Sequence, residues 1–321
     1  MNWFERFLEH NKVYQTFIRW SKRIILPGFH PLPLYTIAVF FFKELGRESV
    51  LNKASSLAYS FMLAIFPGII FLFTLIPYIP IANFQNQLLT LIGLVLPHEA
   101  YTAFRTTLED IIQNQNGKLL SFGFISAMIF ATNGMHNLMD FFNKATLTVE
   151  NRSWINQRLT AIYLTFTIAL ALLGGITILI IGEYIIRFFR DTLHGNGIFW
   201  VILITFVRWL IVVVIFFIAV AVIYRYGPAN PKRWRIGSPG AILATGLAIL
   251  TSLGFSFYIN NFGTYNKIYG SIGTLIVIML WLWFNSLIIL IGFELNASID
   301  LGRRDFKVPV LPKKNEFRPK S

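Results

Sequence analysis

Ile272–Ile291 carries no charge, and a helix of that length crosses the hydrocarbon core of a bilayer. A Tyr269-Gly270 turn precedes this run, and Gly292, Glu294 and Asn296 close it. Water would not tolerate the segment exposed, and a soluble core seldom needs one so long. The chain is therefore expected to be all-α and to cross a membrane several times. Composition agrees, because 55% of its residues are hydrophobic and only 13% are charged, as in polytopic membrane proteins.

Five further runs of this kind precede it. The expected spans are about 57–80, 119–140, 159–186, 199–224, 237–259 and 272–297, within a membrane domain of 57–298. Residues 1–56 are expected to lie in the cytoplasm or at the interface. Charges interrupt every apolar run there, so no signal peptide is read. Trp3, Phe7, Tyr14, Phe17 and Ile24 recur at helical spacing with Arg6, Lys12, Arg19 and Lys22 between them. That pattern suits either an amphipathic helix on an anionic leaflet or a helix packed on the cytoplasmic end of the bundle. Pro27, Gly28, Pro31 and Pro33 then break the chain. Leu34–Phe42 is too short to span and is placed at the interface or partly inserted. Residues 81–118 form the largest loop, with apolar Leu88–Leu96 and a second short helix over Ala100–Ile112. Residues 299–321 read as a basic cytoplasmic tail.

Loop charges orient the spans. Twenty-two Lys and Arg fall on the side of both termini and five on the other, with Arg208 inside a span. The positive-inside rule then puts both termini in the cytoplasm. It also explains the net charge of +13 without nucleic acid, since the charges follow topology rather than one groove. The expected partners are a bilayer with anionic headgroups, a small solute and a second copy of the chain. The absence of cysteine excludes disulfides, thiolate metal sites and cysteine nucleophiles. The five His residues show no metal-binding pair, so no cofactor is expected.

Several polar or small residues stand out within the spans. In the second, Asn133, His136, Asn137 and Asp140 share one helix face. In the sixth, Thr274, Trp281, Asn285, Gly292 and Asn296 fall within roughly 60° of arc. Polar groups at that depth must face protein or water. They read either as helix–helix hydrogen bonds or as a solute site between the two spans. Gly240, Ala244, Ala248, Ser252 and Ser256 repeat every four residues in the fifth span. Such a ridge lets a neighbouring helix approach closely, as plain packing or as a sliding seam. Glu183, Arg208 and Glu294 are the ionisable groups near membrane depth. A Glu183–Arg208 bridge is expected, with Glu294 paired to Arg152 or Arg158. Pro67 removes a backbone donor inside the first span and is expected to kink it.

Ordered blocks along the chain resemble the YihY/virulence factor BrkB family. They are Ala54-Ser55-Ser56-Leu57-Ala58-Tyr59 with Phe66-Pro67; Phe142-Asn143-Lys144-Ala145 with Arg152-Ser153-Trp154; Tyr224-Arg225-Tyr226-Gly227-Pro228; Tyr269-Gly270-Ser271-Ile272-Gly273; and Gly292-Phe293-Glu294-Leu295-Asn296-Ala297. The resemblance implies a six-span protein of the bacterial inner membrane. It carries over no catalytic residues. The family has borne a ribonuclease label, but metal-dependent cleavage needs clustered carboxylates, and here they are scattered. The leading expectation is an exporter or other transporter of a small solute contacting Asn133, His136, Asn137, Asp140, Asn285 and Asn296. The alternative is a non-transporting envelope protein that binds a partner or anionic lipid.

Overall fold

The computed structural model describes residues 12–25, 28, 29, 31–47, 49–79, 85, 86, 89, 106, 109–192, 197–229, 237–261 and 271–307. Among them the helices are α1 (Lys12–Ser21), α2 (Leu34–Arg47), α3 (Val50–Leu75), α4 (Gly117–Ala145), α5 (Trp154–Thr192), α6 (Gly197–Tyr226), α7 (Pro239–Asn261) and α8 (Ser271–Lys307). A 3-10 turn, Ile76–Tyr78, continues α3. No strand occurs among the described residues. The six helices α3 to α8 are long and apolar enough to cross a membrane.

Polar caps set where several of these helices begin. Ser49 accepts from Asn52 N at 3.2 Å and starts α3. Asn116 accepts from Leu119 N at 3.0 Å and starts α4. Ser153 and Ser238 do the same before α5 and α7. Each cap satisfies one of the amide groups that a helix start leaves orphaned. The helix that carries the first expected span begins at Val50, ahead of the apolar run from residue 57, because its cap lies in the polar stretch before that run. Inside the spans, hydroxyls bond back to carbonyls one turn earlier, as Thr132 to Met128, Thr165 to Ala161 and Thr205 to Val201 do. Lipid offers them no other partner. α3 runs through Pro67 as one helix.

The helices pair as α3/α4, α5/α6 and α7/α8, and α8 also packs on α3. The α3/α4 pair comes so close that a Cβ on Gly123 would stand 2.9 Å from Phe71 N. Chain direction puts Val50, Ala145, Trp154, Tyr226, Pro239 and Lys307 at one end of the bundle, here the basic end. Tyr78, Gly117, Thr192, Gly197, Asn261 and Ser271 stand at the far end.

The largest buried cluster lies in the basic half. It joins Ala54 and Leu57 of α3, Met135 to Phe142 of α4, Ala161 and Leu164 of α5, Val220 to Tyr224 of α6, Ala241 and Ala244 of α7, and Ile288 to Ala297 of α8. Its centre is aromatic. Phe142 and Phe293 stack at 3.9 Å between centroids, and Tyr224 meets Phe293 edge-on at 5.5 Å. On the outside of the bundle, large apolar side chains such as Leu170, Ile180, Phe206, Leu253 and Phe257 are exposed. A soluble protein would not present that surface. A bilayer accepts it at no cost, since lipid tails are as apolar as the side chains.

Shorter elements cover the basic end. Phe29, Leu32 and Ile37 are buried against Ile299 and Leu295 of α8, and Arg303 donates to the Gly28 carbonyl at 2.8 Å. The short segment expected at Leu34–Phe42 is thus a helix to Arg47 with one face on α8 and Phe42 exposed. The tail expected from 299 onward is helical as far as Lys307; residues 308–321 lie outside the described residues. So do residues 1–11 and most of the 81–118 loop. Of that loop, Leu89 and Ile112 pack with Ile76 and Phe73.

Candidate functional site: the seam between α7 and α8

The small-residue ridge of α7 and the polar stripe of α8 face one another. They meet tightly at the basic end and part toward the far end. At the tight end a Cβ on Gly292 would lie 2.6 Å from the Gly240 carbonyl and 2.8 Å from Ala244 Cβ. A Cβ on Gly240 would overlap the Gly292 carbonyl. Asn296, fully buried, locks this contact. It accepts from Gly240 N at 2.8 Å and donates to Ser238 Oγ at 3.0 Å. Tyr224 of α6 closes the third side and donates to the Ile289 carbonyl at 2.7 Å.

Farther along, the same two faces separate. Ser252 and Ser256 of α7 line a cleft of about 420 Å³ with Phe255, Val277, Ile278 and Trp281. The rings of Phe255 and Trp281 stand 4.9 Å apart. Asn285, one turn below Trp281, is half-buried and donates to the Trp281 carbonyl at 2.7 Å. A second cleft of about 460 Å³ lies on the other side of α8, against α3, lined by Ser55, Ala58, Leu275, Met279, Leu280 and Trp283. Trp283 Nε1 donates to Ser55 Oγ at 3.1 Å across it. The far half of α8 therefore has a gap on both flanks, while its basic half is clamped.

A polar latch reinforces the closed end. Arg152 holds Glu150 through two nitrogens, at 2.9 and 2.7 Å, and donates to the Gly227 carbonyl at 2.9 Å. Asn143 donates to Glu150 at 2.9 Å and accepts from Ala229 N at 2.8 Å. Arg304 of α8 bonds Asp300 and the Thr146 carbonyl. One loop is thus tied to the ends of α4, α6 and α8. The Arg152 guanidinium holds the Glu150 carboxyl below its ordinary value of 4.5, against the opposing effect of burial. A depressed folded value means that the stabilisation is whole above 4.5 and is lost as pH falls through the folded value. Acid melting curves should therefore lose part of their pH dependence in Glu150→Gln. An unchanged acid limb would remove the latch from the account.

The second-span stripe lies elsewhere. Met135, Leu138, Met139 and Phe142 point into the core, and Asn133, His136, Asn137 and Asp140 lie about 160° round α4 from them. Asn133 accepts from Arg158 at 2.6 Å, Asn137 donates to Ser60 of α3 at 3.2 Å, and His136 Nε2 stands 3.8 Å from Asp140. The α4 stripe is thus engaged by α3 and α5, whereas Asn285 bonds within α8 and Asn296 bonds to Gly240 and Ser238 at the α7/α8 crossing. Glu294 stands 3.9 Å from Lys53 of α3, with both side chains nearly buried. This corrects the expected pairing with Arg152 or Arg158, which are engaged by Glu150 and Asn133. Glu183 accepts from Arg208 at 3.1 Å. Tyr224, Asn143 and Ser238 also hold the site together, and helical periodicity does not single them out, although Tyr224 and Asn143 stand within the blocks that carry the family resemblance.

A family model described as Virulence factor BrkB matches residues 41–316. The chain is 33% identical over 281 residues to a Bacillus subtilis (strain 168) protein named as ribonuclease-like, YfkH, covering 86% of this chain and 99% of that one. It is 26% identical over 279 residues to a UPF0761 membrane protein of Xanthomonas campestris pv. campestris (strain 8004), and 27% identical to one of Xanthomonas oryzae pv. oryzae (strain PXO99A). These alignments cover 85% of this chain but 63% of each Xanthomonas protein. No solved structure matches. The match along most of the chain and the six apolar helices together make this a multi-pass membrane protein that belongs to the virulence factor BrkB family.

Proposed function

We propose that the chain is a transporter in which the α7/α8 seam is the moving part. The observation that carries this reading is the contrast along one pair of faces, clamped at Gly240, Gly292 and Asn296 and parted at Ser252, Ser256 and Trp281. With the basic end taken as cytoplasmic in a bacterial inner membrane, the clamp falls on the inner side and the cleft toward the outer side, which we read as an outward-facing state. An alternating mechanism needs the converse state, reached when the far half of α8 closes on α7 and the basic half lets go. The cleft walls are mainly apolar with a few hydroxyl groups. They suit a small solute with an apolar body, carried outward.

Cysteine labelling tests the seam without background, since the chain has no cysteine. Ser256→Cys should react with a water-soluble maleimide in membranes at least about tenfold faster than Ala244→Cys, because water favours the reactive thiolate and a packed interior suppresses it. Added substrate should then protect Ser256→Cys. If Ser256→Cys stays unlabelled from both sides, lipid fills the cleft and the transport reading falls.

The second reading is an envelope protein that binds a partner, a second copy of the chain or anionic headgroups. It is favoured by the α4 stripe, whose half-buried polar groups face away from the core. Among the described residues, no group of three or more His, Asp or Glu could hold a metal ion.

A further inference from the structure

Arg208 lies well inside α6, and Glu183 and Arg187 lie in the far half of α5. A charge at that depth is expensive and needs a reason. Glu183 supplies part of one. Its carboxylate accepts from Arg208 Nη1 at 3.1 Å and from Arg187 Nε at 3.3 Å. Among the described residues the cluster is nevertheless unbalanced, with two guanidinium groups against one carboxylate. It is also not fully used. Arg208 Nε is buried with no hydrogen-bond partner among the described residues, a donor that native proteins rarely leave unmet.

The local backbone makes room for this arginine. A Cβ on Gly182 would stand 3.0 Å from Arg208 Cγ and would overlap its Cδ. Only a residue without a side chain lets the arginine stem lie across α5. Glu183 and Arg187 line a cleft of about 530 Å³ on the same face of α5 as Ile176, Leu179 and Ile180, and Arg208 reaches it from α6. Arg208 is mostly buried, while Glu183 and Arg187 are 48% and 72% exposed at their side chains. A fixed cation, a movable cation and a movable carboxylate thus stand beside an apolar trough.

We propose that this cleft between α5 and α6 binds an amphipathic anion, its phosphate on Arg208 and Arg187 and its acyl chain along Ile176, Leu179 and Ile180. Guanidinium groups match phosphate oxygens in pairs, and the apolar wall accounts for a tail rather than a free ion. The resident Glu183 carboxylate keeps the guanidiniums paired when no ligand is present and swings aside when one arrives. The site lies on a different helix pair from the α7/α8 seam and does not depend on the transport reading.

The test uses the full chain in nanodiscs of phosphatidylcholine. Binding is read by titrating a fluorescent short-chain phosphatidylglycerol, with inorganic phosphate and a neutral alkyl glycoside as competitors. The wild-type protein should bind the probe saturably, and neither competitor should displace it at equal concentration. Displacement by inorganic phosphate alone would assign a plain anion site and overturn the amphipathic one. Arg187→Gln removes an exposed side chain and should weaken binding about tenfold, the loss of one charged hydrogen-bonding partner. Glu183→Gln has the opposite sign. It removes the competing carboxylate and should tighten binding several-fold. A purely structural ion pair predicts no binding change in Arg187→Gln and no gain in Glu183→Gln, and either result would overturn the proposal.

Discussion

Gly240→Ala is expected to lower the stability of the folded bundle by about 3 kcal/mol, at the upper end of what one added methyl costs a well-packed interior. The new Cβ would meet backbone on α8 and the Asn296 side chain at 2.7 Å. Backbone cannot rotate away as a flexible side chain can, so the two helices must separate. Separation also lengthens the bond from Gly240 N to Asn296 and strips a buried amide of its partner. Thermal unfolding in detergent would read the effect. Gly246→Ala is the control, because that position has open space around it and alanine there should gain about 1 kcal/mol in helix propensity. In the proposed mechanism the same variant opens the clamp, so Ala244→Cys should become reactive in the Gly240→Ala background. Equal melting points for the two alanine variants would mean that α7 and α8 do not meet closely at Gly240.

Phe293→Ala should cost about 3 kcal/mol, the low end of the range for a buried phenylalanine. The ring is 1% exposed and lies between Phe142 and Tyr224, so its loss leaves a cavity lined by two aromatic faces. In a bilayer the transfer part of the usual penalty shrinks, because lipid is as apolar as the core; what remains is lost packing. That distinction is measurable. Phe257→Ala removes the same atoms from a side chain that is 71% exposed to the surroundings of the bundle, and it should change stability little. Unfolding both variants in sodium dodecyl sulfate titrations would separate the packing contribution from the size of the side chain. Comparable losses would show that the far half is packed against something in the membrane.

The six spans were legible because lipid leaves a backbone no partner but itself, so each crossing must be a helix, and a long, mainly apolar run marks it. Helix starts were less legible. Ser49 and Ser153 stand in polar stretches ahead of the apolar runs, and hydropathy alone does not reveal that a hydroxyl there begins the helix. Periodicity did place Asn133, His136, Asn137 and Asp140 on one face and Trp281, Asn285, Gly292 and Asn296 on another. It could not say which neighbour each face meets, since a repeat of 3.6 residues fixes relative angles on one helix and nothing between helices.

Tertiary structure decided that second question. The ridge of α7 met the stripe of α8, so Asn296 became the lock of a helix crossing. The α4 stripe turned away from the core, where Arg158 and Ser60 reach it from the neighbouring helices. Glu183 and Arg208 sit on helices joined by a short connection, so chain continuity by itself brought them near. Glu294 had no such constraint, and its neighbour Lys53 comes from a helix far back in the chain. The sequence by itself determined what must lie in the membrane, through the cost of unpaired polar groups in lipid. Where the helices clamp and where they part was decided by close approach at Gly240 and Gly292, a property of two surfaces that exists only once they meet.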